Sequence, residues 1–184
     1  NTWAPIPSGP YKKTNHSAVF TGQEMIVFGG DTCSCVSGST QTGYRYNIFS
    51  DGWSTAINTT NGPSKRAFHA AAWNGTEMII SGGQAKDQSN VSGCYRYNPL
   101  SNTWTVAASP FNSLPQAKAV WTGNEMLVWG SILLDQPYNS YNLGLVYTPS
   151  TNSWTQFATE GHIGNNDSRS NVVWTGTEML IIRG

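Results

Sequence analysis

The residues of this chain best suited to chemistry are its three histidines, His16, His69 and His162. His16 and His69 each lie four residues before an aromatic residue, Phe20 and Trp73, so they occupy equivalent positions in two similar segments. An imidazole can bind zinc or copper, or transfer a proton near neutral pH. Two histidines without a carboxylate at a fixed spacing are a weak metal signal. The sequence therefore favours polar side chains satisfied within the fold, and we predict no metal site.

The three cysteines, Cys33, Cys35 and Cys94, leave three arrangements open. Cys94 can form a disulfide with either member of the Cys33/Cys35 pair and so link neighbouring repeats, or the pair can form a local bond. A thiolate metal site is the third arrangement. A disulfide would fit an oxidising compartment.

Carboxylates also recur along the chain. Four glutamates, each followed by methionine, come just after a short turn: Glu24, Glu77, Glu125 and Glu178. A ring of carboxylates would suit acid–base catalysis. A side chain that recurs in every repeat, however, serves what every repeat needs, so we predict turn-stabilising or inter-repeat hydrogen bonds. No Gly-x-Ser-x-Gly or His-Glu-x-x-His motif is present, and we predict no catalytic residue and no cofactor.

The segments that position these residues are four copies of one pattern. They read SAVFTGQEMIVFGG (17–30), AAAWNGTEMIISGG (70–83), KAVWTGNEMLVWGS (118–131) and NVVWTGTEMLIIRG (171–184). A second series is formed by four tryptophans about 50 residues apart: Trp3, Trp53, Trp104 and Trp154. A third consists of Tyr46, Tyr97 and Tyr147. Three independent series with one period identify a repeat protein.

Each repeat divides into four strands. Strand A ends at an aromatic residue, a Thr-Gly or Asn-Gly turn suited to a hairpin comes next, and strand B is a short apolar run. Strand C carries the tyrosine and strand D begins at the tryptophan. Short apolar runs between turn signals, without helical periodicity, indicate an all-β fold. Four strands per repeat of this length predict a β-propeller of four-stranded antiparallel blades.

The pattern resembles the Kelch repeat, as found in bacterial Kelch proteins and the galactose-oxidase-like propellers. The resemblance rests on strands ending in Gly-Gly at 29–30 and 82–83, on Tyr-Asn-Pro at 97–99 and on Asn-Thr-Trp at 102–104. It weakens at 130–131 and 183–184, where Gly-Ser and Arg-Gly replace Gly-Gly. It implies blades arranged radially around a channel, with strand A innermost. Copper chemistry like that of galactose oxidase, or sugar mutarotation, is the enzyme alternative, although no ligand set or acid–base pair maps onto this chain.

The predicted organisation is one propeller segment of about 3.75 blades. Strand D spans 1–7, blade 1 about 14–58, blade 2 about 67–108, blade 3 about 117–158, and strands A and B of blade 4 about 169–184. Three arrangements are open: a fragment of a longer chain, a half-propeller that closes a ring with a second copy, or an irregular four-bladed ring. Uncovered blade faces would expose apolar side chains to water.

Composition limits the partners. Only 11% of residues are charged and the formal net charge is +0, so nothing attracts the chain to nucleic acid or to an anionic membrane. No apolar stretch is long enough for a membrane span. The composition leans towards an extracellular, periplasmic or cell-surface location.

Function is expected where the blades differ, because long variable loops on a rigid scaffold commonly carry binding sites. The B–C loops (30–43, 83–93 and 130–144) and the D–A loops (57–67, 108–118 and 157–169) share one face of the predicted propeller. The candidate binding residues are Asp31, Lys65, Arg66, His69, Asp87, Asp135, Tyr138, Tyr141, His162 and Arg169. Aromatic, amide and charged groups suit either sugars or a protein surface. We therefore predict a non-catalytic module that binds a glycan or a protein, or further blades; a structural homo-oligomer built through blade edges is a further alternative.

Overall fold

The computed structural model describes residues 3–32, 38–133, 140–157 and 170–182. These residues form fourteen strands in three four-stranded antiparallel sheets and one two-stranded sheet, which confirms the predicted all-β propeller class. The strands are β1 (Ser17–Phe20), β2 (Glu24–Phe28), β3 (Gly43–Asn47), β4 (Gly52–Trp53), β5 (Ala70–Trp73), β6 (Met78–Ser81), β7 (Cys94–Asn98), β8 (Thr103–Ala107), β9 (Lys118–Trp121), β10 (Met126–Leu133), β11 (Ser140–Thr148), β12 (Ser153–Phe157), β13 (Asn171–Trp174) and β14 (Met179–Ile182). Blades 1, 2 and 3 each contain strands A to D, and the described part of blade 4 contains A and B.

The blades follow one another around a common axis. Strand A of each blade contacts strand A of the next, through the pairs β1–β5, β5–β9 and β9–β13. Strand A is therefore innermost, and the four A strands line a central channel.

Each blade has two apolar faces. The leading face, towards the following blade, carries Ile26 in blade 1 and Ile79 in blade 2. The trailing face, towards the preceding blade, carries Met78 in blade 2 and Met126 in blade 3. These four side chains are fully buried, Ile26 with Met78 in the core between blades 1 and 2, and Ile79 with Met126 in the core between blades 2 and 3. Burial of these faces is the main force that holds neighbouring blades together.

The repeated tryptophans connect blades through hydrogen bonds. Trp104 Nε1 donates to the carbonyl oxygen of Asn58 in the preceding D–A segment at 2.8 Å, and Trp154 Nε1 does the same to Ala108 at 2.7 Å. In blade 2 the buried Tyr97 hydroxyl donates to Asn102 Oδ1 at 2.8 Å, and the same oxygen accepts from the Asn58 N–H at 3.0 Å. One carboxamide thus links the C–D turn of its own blade to the backbone of the blade before it.

Two of the repeated glutamates form ion pairs within their own blades. Glu24 Oε2 lies 3.6 Å from Arg45 Nε on strand C. Blade 2 repeats this pair between Glu77 and Arg96 at 3.4 Å. Arg45 also donates to the carbonyl oxygen of Pro99 in blade 2 at 2.6 Å, so the pair extends into an inter-blade contact.

Strand B ends differently in blade 3. In blade 1 Gly29 and Gly30 both have positive φ angles, 66° and 84°, and the chain turns away after β2. Blade 3 has Ser131 at the second position, where a left-handed backbone is unfavourable, and β10 continues to Leu133. The predicted B–C loop 130–144 was therefore wrong in part: Gly130–Leu133 pair with Ser140–Leu143 as a longer β-hairpin.

The first predicted strand was also wrong over its described part. Residues 3–7 form no strand, because none of the described residues supplies a strand C for them to pair with. Trp3 is fully exposed, unlike the other three tryptophans of its series. The segment instead covers part of blade 1, where Trp53 Nε1 donates to the Pro7 carbonyl oxygen at 2.9 Å.

Candidate functional site: the loop face and the channel mouth

The four A strands begin around a cavity of about 350 Å³ on the face that carries the B–C loops and D–A segments. We call this face the loop face and this space the channel-mouth cavity. All four blades contribute to its wall. The polar and aromatic residues that line it are Asn15, His16, Ser17, Phe68, His69, Gln116, Lys118 and Asn171.

A repeated backbone feature builds this mouth. Asn15, Phe68 and Gln116, each just before strand A, have left-handed φ angles of 56°, 57° and 58°. The Phe68 N–H donates to the Asn15 carbonyl oxygen at 2.9 Å, and the Gln116 N–H donates to the Phe68 carbonyl oxygen at 3.0 Å. A positive φ is unfavourable for a bulky residue such as Phe68. The inter-blade hydrogen bonds hold the strained backbone in place around the axis.

His69 lies within the contact between blades 1 and 2. Its Nε2 is 2.6 Å from Ser17 Oγ, and its ring meets the edge of Phe28 at 5.8 Å between centroids. Burial, reinforced by the positive charge of Arg66, lowers the pKa of His69 to about 3. The ring is therefore neutral near pH 7 and too weak a base to activate Ser17 as a nucleophile.

The equivalent histidine of blade 1 has different surroundings. His16 is exposed at the channel mouth, and partial burial lowers its pKa. His69 is covered by blade 1, whereas none of the described residues covers His16 as a preceding blade would. Blades 3 and 4 place Ala117 and Ser170 at this position, and both are buried. The repeat thus produces one buried and one accessible imidazole.

Arg66, predicted as a binding residue, is instead buried, with 1% of its surface exposed. Its guanidinium donates to the carbonyl oxygens of Gly82 at 2.8 Å and Ser64 at 3.2 Å, and lies 5.2 Å from the centroid of the Tyr95 ring. Its longer contacts at 3.4 and 3.5 Å reach the carbonyl oxygen of Ser92. Arg66 therefore joins the D–A segment to both ends of the second B–C loop.

Asp31 is also buried, with 2% of its surface exposed. Asn15 Nδ2 donates to Asp31 Oδ2 at 3.1 Å, and the backbones of Asp31 and Thr14 exchange two hydrogen bonds. The buried carboxylate thus stabilises the start of the first B–C loop through its hydrogen bond from Asn15.

Of the predicted binding residues whose side chains the structure describes, Lys65 and Asp87 are exposed. They lie together on a second concavity of the loop face, an open groove of about 650 Å³ between blades 1 and 2. We call it the loop-face groove. Its lining residues are Gln41, Ser64, Lys65, Ala85, Lys86 and Asp87.

Four predicted binding residues lie outside the described residues: Asp135, Tyr138, His162 and Arg169. Tyr141 lies on β11, and its side chain is likewise outside the description. The structure thus brings Lys65 and Asp87 to one groove and His69 to the channel mouth.

Of the three arrangements left open for the cysteines, the structure does not show a disulfide to Cys94. Cys94 is a free thiol, fully buried in the core between blades 2 and 3. Burial raises the pKa of this thiol to about 12. It points to the leading face of its blade, away from the blade that carries the other two cysteines. Cys33 and Cys35 lie outside the described residues.

The sequence prediction missed several channel-mouth residues, among them Phe68, Gln116, Lys118 and Asn171. They fall one position before or one position after the site of the two histidines in the repeat. Applying the register of His16 and His69 to all four blades would have identified them. Among the described residues, no group of three His, Cys, Asp or Glu side chains is placed to hold a metal ion.

The comparisons with known proteins support the repeat assignment. The family model described as the KLHDC2/KLHL20/DRC7 Kelch-repeats domain matches residues 2–184. No curated protein matches the chain. No helix among the described residues is long and apolar enough to cross a membrane.

Proposed function

The chain belongs to the Kelch-repeat family, and from this premise we propose that it is a protein-interaction module that binds its partner at the loop face. Kelch repeats generally mediate protein–protein interaction. The partner would lie across the channel-mouth cavity and the loop-face groove.

The observation that carries the proposal is the construction of the channel mouth. Four blades place carboxamide, hydroxyl, imidazole and ammonium groups around one cavity, and inter-blade hydrogen bonds fix their backbones. Donors and acceptors held on a rigid frame lose little entropy on binding. Such a set can pair with the alternating N–H and C=O groups of a peptide.

A glycan is the second candidate partner. The amides of Asn15, Gln116 and Asn171 around the ring of Phe68 would also suit sugar hydroxyls and an apolar sugar face. Both candidates use the same surface, so the test must present both kinds of ligand.

The test is selection on the purified chain with a phage-displayed random peptide library, with a glycan array run in parallel. We expect enriched peptides that bind saturably. Lys118→Glu, at the channel mouth, should weaken their binding at least about tenfold. Lys65→Glu, in the groove, should weaken those that reach the groove. Lys12→Glu is the charge-matched control, because Lys12 is exposed on the segment before blade 1. Binding of glycans alone, or peptide binding insensitive to Lys118→Glu, would overturn the proposal.

A further inference from the structure

A further concavity lies on the face opposite the loop face, where the A–B and C–D turns are. We call this face the turn face and the concavity, of about 350 Å³, the turn-face cleft. The A–B turns of blades 1 and 2 and the C–D turn of blade 2 form its walls. The cleft thus lies between two neighbouring blades, and both of its sides are present among the described residues.

Hydrogen bonds fix the walls of the cleft. Arg45 of blade 1 donates to the Pro99 carbonyl oxygen at 2.6 Å and so holds the C–D turn of blade 2 against blade 1. Within that turn, Asn98 Oδ1 accepts from the Leu100 N–H at 2.9 Å. Groups that are already positioned lose little entropy when a ligand binds. The cleft is therefore a preformed site.

The charges in the cleft balance. Glu24 Oε2 lies 3.6 Å from Arg45 Nε, and the two side chains are 23% and 27% exposed. Among the described residues that line the cleft, these two carry its charge, and they cancel. A carboxylate and a guanidinium have more acceptor and donor positions than this contact and the bond to Pro99 use. The pair can therefore bind neighbouring hydroxyl groups, whereas a charged ligand would meet a like charge.

The remaining lining groups suit a ligand rich in hydroxyl groups. The Gln23 carboxamide and Asn98 Nδ2 form no hydrogen bond with any described residue, so they are available to a ligand. Trp73 and Leu100 add apolar surface, and Leu100 is 97% exposed. A sugar ring combines hydroxyl groups at its edge with C–H groups on its faces. The volume of the cleft is within the usual range of small-ligand sites, about 300–1,000 Å³.

Comparison of the repeats separates the framework of the cleft from the groups that are particular to it. The glutamate–arginine pair recurs at the contact between blades 2 and 3. Gln23 and Leu100 do not recur, because Thr76 and Ser150 take the equivalent positions at that contact. A residue that recurs serves packing in every blade. Gln23 and Leu100 are therefore the residues that distinguish this cleft from its repeat equivalent.

We propose that the turn-face cleft is a binding site for a neutral saccharide. Glu24, Arg45 and Gln23 bind its hydroxyl groups, and Trp73 and Leu100 contact its ring. The proposal does not depend on the loop-face function, since the residues that line the cleft line neither the channel-mouth cavity nor the loop-face groove.

Saturation-transfer difference NMR of the 184-residue chain with glucose, galactose, mannose, N-acetylglucosamine, lactose and cellobiose tests the proposal. We expect saturable binding of at least one of these sugars. Gln23→Thr, which introduces the residue that blade 2 has at this position, should raise the Kd about fivefold through the loss of hydrogen bonds. Asn124→Thr is the matched control, because Asn124 is exposed at the equivalent position of blade 3 and should leave the Kd unchanged.

Two further variants locate the site. Lys118→Glu, at the channel mouth, should not change the binding of the sugar, and Leu100→Ser should weaken it. Failure of every sugar to bind at millimolar concentration would overturn the proposal. Sugar binding that Lys118→Glu weakens and Gln23→Thr does not would also overturn it, because the sugar would then lie on the loop face. Selected peptides whose binding is lost in Leu100→Ser, with no sugar bound, would identify a protein site instead.

Discussion

At the residue scale, Arg66 shows that a charged side chain on the loop face can be part of the framework. Its guanidinium is buried and donates to backbone carbonyl groups. Arg66→Ala would leave the buried carbonyl group of Gly82 without this donor and would also remove the hydrogen bonds to Ser92, so we expect a loss of about 3 kcal/mol in the free energy of unfolding. Lys65→Ala, at the exposed neighbouring position, should change it by less than about 0.5 kcal/mol. Urea denaturation measures both, and equal losses would contradict the assignment.

His69 makes stability depend on pH. Its pKa is about 3 in the folded chain and about 6.5 when unfolded, so between these values the unfolded state binds the additional proton. The contribution of neutral His69 to the free energy of unfolding is therefore fully present above about pH 6.5. It decreases as the pH drops towards 3, by up to about 1.4 kcal/mol per pH unit. Urea denaturation from pH 7 to pH 5 should show a smaller decrease in the free energy of unfolding for His69→Gln than for the wild type. Parallel curves would show that His69 is not buried as a neutral ring.

At the element scale, the glycine that ends strand B decides how closely the next blade can approach. A Cβ on Gly29 would lie 2.6 Å from the carbonyl oxygen of Arg66 in the D–A segment and 2.7 Å from the His69 ring of blade 2. Gly22, in an A–B turn, also has a positive φ, but a Cβ there would meet no atom within 4 Å. We expect Gly29→Ala to destabilise the fold by about 3 kcal/mol, from backbone strain plus overpacking, and Gly22→Ala by about 1 kcal/mol from strain alone. Thermal and urea denaturation compare the two variants. Similar losses in the free energy of unfolding would contradict the close approach of Gly29 to the Arg66 carbonyl group.

The third hairpin marks the point where sequence reasoning stops. The change from Gly-Gly to Gly-Ser at 130–131 is visible in the sequence, but its structural result depends on how the residues after Ser131 pair. Without a left-handed turn the chain stays extended, and β10 pairs with β11 for eight residues. A periodic pattern predicts the shared part of each blade well, because equivalent residues pack in the same way in every copy. It carries no information on how far a single hairpin continues beyond that part.

At the scale of the whole molecule, the sequence predicted the blade architecture and the loop face from three repeated series. It could not separate His16 from His69, because equivalent positions become different sites once one blade is covered by a neighbour and the other is not. It also treated Asp31 and Arg66 as surface groups, because burial of a loop residue depends on contacts between blades. Among the residues that the structure describes, the candidates that are exposed, Lys65 and Asp87, lie at one groove.

The most direct measurement of the central claim is hydrogen–deuterium exchange with and without a peptide selected on the purified chain. Binding at the loop face should slow amide exchange in the segments 38–42, 57–67, 83–93 and 112–118. Exchange in the A–B turns at 21–24, 74–77 and 122–125, on the opposite face, should stay unchanged. Protection confined to these turns, with none on the loop face, would contradict the account.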